Sequence, residues 1–107
     1  MKQEILYPYE YWGITVLPGH TQMALEEFLI RRVANLSEKA GQSRAAVRFY
    51  SFPQDTVVLG YGQDVDVVKK EDSSFLVTRR VTGGSHIQTG VNTMAYTFVV
   101  PRDGNFD

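Results

Sequence analysis

Apolar residues recur at three- and four-residue steps in one long stretch, HTQMALEEFLIRRVANLSEKAG. Leu25, Phe28, Leu29, Val33, Leu36 and Ala40 fall on one face, which predicts an amphipathic helix. Thr21 is placed to cap its start and Gly41 to end it. Elsewhere the pattern is short and β-rich. Trp12–Leu17 (WGITVL) reads as a strand stopped by Pro18-Gly19. Ala45–Phe52 and Thr56–Gly60 read as two strands of a hairpin joined through Pro53-Gln54-Asp55. Asp64–Glu71 has room for a short helix with Asp64 as its cap. Phe75–Val81 reads as a strand, Gly83-Gly84 as a turn and His86–Thr89 as the returning strand. In Asn92–Val100, alternation puts Met94, Tyr96 and Phe98 on one side.

The order is strand, helix, hairpin, short helix, hairpin, strand. Strands run in groups instead of alternating with helices, which predicts an α+β class with a mainly antiparallel or mixed sheet, one long amphipathic helix and a short one. No internal repeat or low-complexity segment interrupts it. The 107 residues suffice for one domain and one core.

Composition narrows the function classes. The formal net charge is −1, so no global basic field points to nucleic acid or a membrane surface. Any anion site must be local. The absence of cysteine excludes disulfides, thiolate zinc sites and a cysteine nucleophile within these residues. The start, MKQEILYPYEYW, lacks the apolar core of a signal peptide, and no apolar run approaches the ~20 residues needed to span a bilayer. The expected location is cytoplasmic.

The chemistry concentrates in Thr78–Val91, TRRVTGGSHIQTGV. Two arginines precede a glycine pair whose backbone can pass close to a ligand. Backbone amides in such a turn can face an anion, and guanidinium forks suit carboxylate or phosphate. Side chains alternate along a strand, so Arg79 and Arg80 face opposite ways and only one reaches a common site. The same pattern also fits an ordinary hairpin turn with solvated arginines, and the spacing leaves both open. Rival chemistries lack their motifs. There is no GxxxxGK[ST] or HExxH, and LGYGQD is only a partial glycine fingerprint. His20 fits a turn or helix-start contact, and His86 either a strand histidine or part of the glycine site. Glu26 and Glu27 fit a polar helix face, and Phe49, Tyr50, Phe52, Tyr61, Phe75, Tyr96 and Phe98 fit core or pocket wall.

Three segments together resemble one family. MALEEFLI, VRFYSFPQDTVVLGYGQDVDVV and RRVTGGSHIQTGVNTMAYTF look like the N-terminal part of lipoate–protein ligases, within the wider group of biotin/lipoate ligases and octanoyltransferases. The hallmark is R-R-x-[ST]-G-G-G-x-V-x-H-D after a strand–turn–strand of the form D-T-V-V-[IL]-G-x-x-Q. The resemblance covers about Trp12 to Pro101. It implies half of the biotin/lipoate ligase catalytic domain, with 1–107 a single, incomplete ligase-like domain. It implies formation of acyl-AMP from lipoate or octanoate with ATP and Mg²⁺, then transfer to a lysine of a lipoyl domain. The implied partners are the lipoyl domain of a 2-oxoacid dehydrogenase complex or the glycine cleavage H protein, and a separate chain carrying the C-terminal half.

Carried over by position, Arg80 matches the second motif arginine and would meet the acyl carboxylate or phosphate. Thr82, Gly83 and Gly84, with Ser85 and His86 after them, match the turn that approaches the acyl-adenylate. Met23 and Glu26 lie on the helix bordering the acyl pocket in relatives. Gln63 has a matching position without a firm role.

The chain also departs from the pattern. Ser85 stands for the third glycine, Thr89-Gly90 for the His-Asp pair, and Ser51 for an aromatic of the preceding hairpin. His86, three residues before Thr89, is a candidate substitute for the missing imidazole. No catalytic residue is expected within this chain, because the ligase lysine comes downstream of its end, and Lys69 and Lys70 precede the glycine turn. Relatives are roughly twice this length or more, so poor stability or oligomerisation is expected of the 107 residues alone. The alternative readings are a degenerate, non-catalytic module binding an acyl, lipoyl or biotinyl group, or part of an octanoyl or lipoyl transferase.

Overall fold

A computed structural model describes residues 8–39, 41–67 and 74–101. Along the chain run β1 (Tyr9–Val16), α1 (Gly19–Ser37), β2 (Ala45–Ser51), β3 (Thr56–Leu59), β4 (Leu76–Arg79), β5 (Ile87–Thr89) and β6 (Ala95–Val99). They build two three-stranded sheets, ordered β1-β2-β6 and β4-β3-β5. Each is mixed: β1 and β2 are parallel with β6 antiparallel to β2, while β3 and β4 are parallel with β5 antiparallel to β3. The α+β reading with a mixed sheet stands, divided into two sheets.

Neither expected hairpin forms. β2 and β3 lie in different sheets. Pro53 has no N–H to continue a ladder, and Phe52 is 2% exposed, so the chain is drawn inward and re-emerges as a strand at Thr56. Nor do β4 and β5 pair with each other, because β3 lies between them. All four residues of β3 are buried, and a strand covered on both faces belongs in the middle of a sheet. Gly83-Gly84 therefore belongs to a connection crossing the end of β3, not to a tight turn.

Helix α1 begins at Gly19, two residues ahead of the expected Thr21 cap, with Pro18 as N-cap and no side-chain cap bond. Tertiary packing sets that start. Any side chain at position 19 would come within 2.9 Å of Leu76 and 3.2 Å of Thr56, so the helix end is wedged against the β4-β3-β5 sheet. His20 holds it there, with Nδ1 2.8 Å from the Thr78 hydroxyl. The helix ends at Ser37, short of Gly41. Its inner face packs in two patches, Met23 with Tyr50 of the first sheet, Phe52 just past β2 and Val58 of the second sheet, and Leu29 and Val33 with Ala46 of the first sheet. The expected short helix is a 3-10 turn, Val65–Val67, where the Asp64 carboxylate accepts the Asp66 N–H at 3.0 Å. The rest of that reading, with Lys69 and Lys70, lies outside the described residues, as does 102–107.

A charged clip ties α1 to β1. The Arg32 guanidinium donates to both oxygens of Glu10, at 2.8 and 2.7 Å. Those bonds, against a smaller opposing effect of burial, lower the Glu10 carboxyl from 4.5 to about 2. A carboxyl depressed in the folded state contributes stability above its unfolded value and loses it as pH falls through the folded one. The unfolding free energies of wild type and Glu10→Gln should therefore differ by a constant amount above pH 4.5 and converge by about pH 2. The pair is partly exposed, so the plateau should be ~0.5–1 kcal/mol. Urea titrations across that pH range measure it.

Candidate functional site

The two sheets and α1 enclose a cavity of about 140 Å³. α1 contributes Met23, Glu26 and Ile30, and β2 with its C-terminal extension contributes Tyr50 and Phe52. Val58 of β3 and Ala95 of β6 complete a mostly apolar interior. Arg80, Val81 and Thr82 form the rim where the chain leaves β4, opposite Ile87–Thr89.

One wall conceals a polar network. Arg48, 2% exposed at the centre of β2, donates from Nε to Glu26 at 2.9 Å and from its Nη atoms to the Gln22 side-chain and main-chain oxygens at 2.7 and 2.9 Å. The Thr97 hydroxyl donates to Glu26 at 2.6 Å, and the guanidinium lies 4.0 Å from the Tyr50 ring centroid. Burial, reinforced by the Glu26 carboxylate, pushes the Tyr50 phenol above its ordinary value. A buried charge so fully engaged fixes the position of its neighbours, here the Glu26 and Tyr50 walls. At the edge of the cavity the Thr89 hydroxyl is buried with no hydrogen-bond partner among the described residues.

The two arginines diverge as alternation requires. Arg79 turns to the connection after β3, where Nη1 donates to the carbonyls of Gly60 at 3.2 Å, Tyr61 at 3.0 Å and Gln63. The Gln63 side chain accepts the Gly60 N–H at 3.0 Å, so its role here is to close that loop. Arg80 turns to the cavity and the glycine connection. Nη2 donates to the carbonyls of Gly83 at 2.8 Å and Ser85 at 2.9 Å, and Nη1 to Val58 O at 3.3 Å. Of its five N–H donors, Nε and one on Nη1 have no partner among the described residues. The glycine loop thus meets the arginine through carbonyls, and Arg80 shapes the loop as well as facing the cavity.

Four of the eight residues singled out from the sequence, Met23, Glu26, Arg80 and Thr82, border this one cavity. Gly83, Gly84, Ser85 and His86 lie on the exposed connection beside it. Gly84 needs its glycine, with φ at +105° and Arg80 Nη2 2.8 Å from where a Cβ would sit. Around Gly83 there is open space. His86 is exposed and makes no hydrogen bond among the described residues. Sequence reasoning left out Arg48, Thr97 and Ala95. An arginine in the middle of AAVRFYSF was the available signal, since a charge in an otherwise apolar strand is buried only with partners.

No three His, Asp or Glu side chains converge to hold a metal among the described residues. No helix among them is long and apolar enough to cross a membrane. No protein-family model and no curated protein matches the sequence. Solved structures do match the fold. LipL1 of P. falciparum, in complex with lipoate, superposes with a TM-score of 0.62 at 17% identity, over 84% of this chain and 30% of that one. Protein Ta0514 of T. acidophilum, with bound lipoic acid, gives 0.61 at 22% identity, over 95% of this chain and 41% of that one. The bi-partite lipoate protein ligase of Thermoplasma acidophilum, described with its E2 lipoyl domain, gives 0.59 at 22% identity, over 87% of this chain and 36% of that one. At these identities the likeness is one of fold, and the chain spans well under half of each of those proteins.

Proposed function

We propose that this chain, which has the fold of part of the lipoate–protein ligases, is the N-terminal portion of a lipoate or octanoate ligase and supplies the acyl-binding wall of its active site. The observation that carries this reading is Arg80 at the rim of an apolar cavity, with two donors unspent. A medium-chain acid has the matching shape: an apolar chain for Met23, Tyr50, Phe52 and Ala95, and one anionic head for Arg80. Thr82 and Gly83 lie next to that head, where a phosphate joined to it would come to rest.

The reaction is adenylation followed by transfer. An acyl carboxylate oxygen attacks the α-phosphorus of ATP and pyrophosphate leaves. A lysine of an acceptor lipoyl domain then attacks the acyl carbon and AMP leaves. Fixed donors such as the Arg80 guanidinium lower the first barrier because they need no rearrangement as charge develops. No group of carboxylates converges to hold a metal among the described residues, and Mg²⁺ would enter with the phosphates of ATP. The activating lysine is assigned to polypeptide outside these residues, a second segment or a second chain, and the enzyme to the cytoplasm.

A titration of lipoyl-AMP into the chain combined with the polypeptide that carries the activating lysine tests the assignment. Arg80→Ala should weaken binding by ~1.5–3 kcal/mol, the worth of a hydrogen bond to a charged group. Gly83→Ala should leave the urea midpoint unchanged, since nothing lies within 4 Å of its added carbon, yet still weaken lipoyl-AMP. Equal affinities for all three proteins would remove Arg80 and Gly83 from the site.

A second reading has one observation in its favour. Thr89 and Gly90 stand where the resemblance expects His-Asp, and His86 lies outside the cavity. A non-catalytic module that holds an acyl or lipoyl group needs no imidazole. Such a module would bind lipoate with or without ATP and form no pyrophosphate when completed.

A further inference from the structure

The first sheet carries large apolar side chains on both faces, with the Arg48 network embedded in the inner one, yet only the inner face is covered among the described residues. Its inner face packs on α1 through Ala46, Tyr50 and Val99. The outer face owes its character to a register shift in β1 between Tyr11 and Ile14, with Gly13 at φ +80°. Tyr11 pairs with Val47 and Ile14 with Phe49, so the extra residue brings Tyr9, Tyr11, Ile14 and Val16 onto one side. They are 65%, 58%, 63% and 60% exposed. Across β2 and β6 the same side continues through Phe49 to Tyr96, which is 71% exposed. Edge contacts link Tyr11 to Phe49 at 6.3 Å, and Phe49 lies 6.3 Å from Tyr96. A bulge that gathers four large apolar side chains onto one face is a layer interface, because a surface facing water carries polar residues at such positions.

We infer that this face is the docking surface for the polypeptide that completes the ligase domain, with an apolar surface of that polypeptide packed across β1, β2 and β6. Chain length points to that occupant. The three solved structures of this fold each carry well over half their chain beyond the part this chain matches. A sheet with large apolar side chains on both sides is a middle layer needing cover on each, and α1 supplies only one. The inference rests on the proposed ligase reading for the identity of the occupant; the apolar face is independent of it.

The chain's lack of cysteine provides the test. Single cysteines replace Tyr96 and Val16 on the face, and Asn35 on the exposed side of α1 as control. Maleimide labelling is followed with the chain alone and with the polypeptide that carries the activating lysine. In the free chain all three positions should label fast. In the mixture Y96C and V16C should label at least ~10-fold more slowly, the effect of ~1.4 kcal/mol of net occupancy, while N35C is unchanged. A complex that leaves Y96C and V16C fast, the absence of any complex, or protection already present in the free chain would each overturn the inference. In the last case, protection that disappears on dilution identifies a second copy, and protection that persists identifies the chain's own ends. Lipoyl-AMP binding is read separately. A complex protected at this face that binds no lipoyl-AMP refutes the ligase reading and leaves the docking surface standing.

Discussion

Replacing Arg48 with methionine should lower the unfolding free energy by ~3–5 kcal/mol, the cost of removing one partner from a buried ion pair. Methionine keeps much of the packing volume, so the loss is electrostatic. It leaves the Glu26 carboxylate, whose side chain is 16% exposed, without its cation, and takes a donor from each of two Gln22 oxygens, of which the side-chain one keeps the Thr15 hydroxyl. It also removes the cation from beside the Tyr50 ring. The double variant Arg48→Met, Glu26→Met should recover much of the loss, because two apolar groups leave no uncompensated charge. Urea midpoints of the single and double variants measure the effect. A single variant within 1 kcal/mol of wild type would show that the network is not what holds α1 on the first sheet.

Gly60→Ala should cost about 3 kcal/mol, the upper end of what forcing atoms into a packed site costs. The new carbon would lie 2.0 Å from the carbonyl oxygen of Gly84, and that obstacle is backbone rather than a flexible side chain. The two connections are also joined by the Tyr61 N–H donating to Thr82 O at 2.8 Å and the Arg80 N–H donating to Leu59 O at 3.0 Å. Relief can come only by displacing the segment that carries the Gly83 and Ser85 carbonyls, and with it the Arg80 guanidinium they hold. Stability and lipoyl-AMP affinity should therefore fall together in this variant, whereas Gly83→Ala separates them. A stable Gly60→Ala protein with normal affinity would mean that the two loops do not act as a unit.

What the sequence disclosed depended on how local the responsible physics was. The helix was legible because Leu29 and Val33 repeat a helical step over several turns, and the opposite facing of Arg79 and Arg80 followed from strand alternation. Strand pairing was not legible. Whether Thr56–Leu59 pairs with the run before it or with two later runs is decided by burial on both of its faces, which the four letters TVVL cannot disclose. The start of α1 eluded a cap-based reading because contacts with Leu76 and Thr56, far along the chain, override the preference for Thr21. In the candidate site, Met23, Glu26, Arg80 and Thr82 were found by resemblance. Arg48 was passed over although a charge amid AAVRFYSF is itself a sign of a buried network. The outer apolar face was hidden by the shift at Gly13, since plain alternation in WGITVL sets Ile14 and Val16 on the side opposite Tyr9 and Tyr11.

The measurement that bears most directly on the account is a methyl NMR titration of lipoyl-AMP into the completed protein, observing Met23, Ile30 and Ala95, which line the cavity from α1 and β6. All three methyl signals should shift saturably with one dissociation constant, and Arg80→Ala should weaken binding without changing which methyls respond. Saturable binding that leaves Met23 and Ala95 unmoved would place the acyl chain elsewhere and contradict the account.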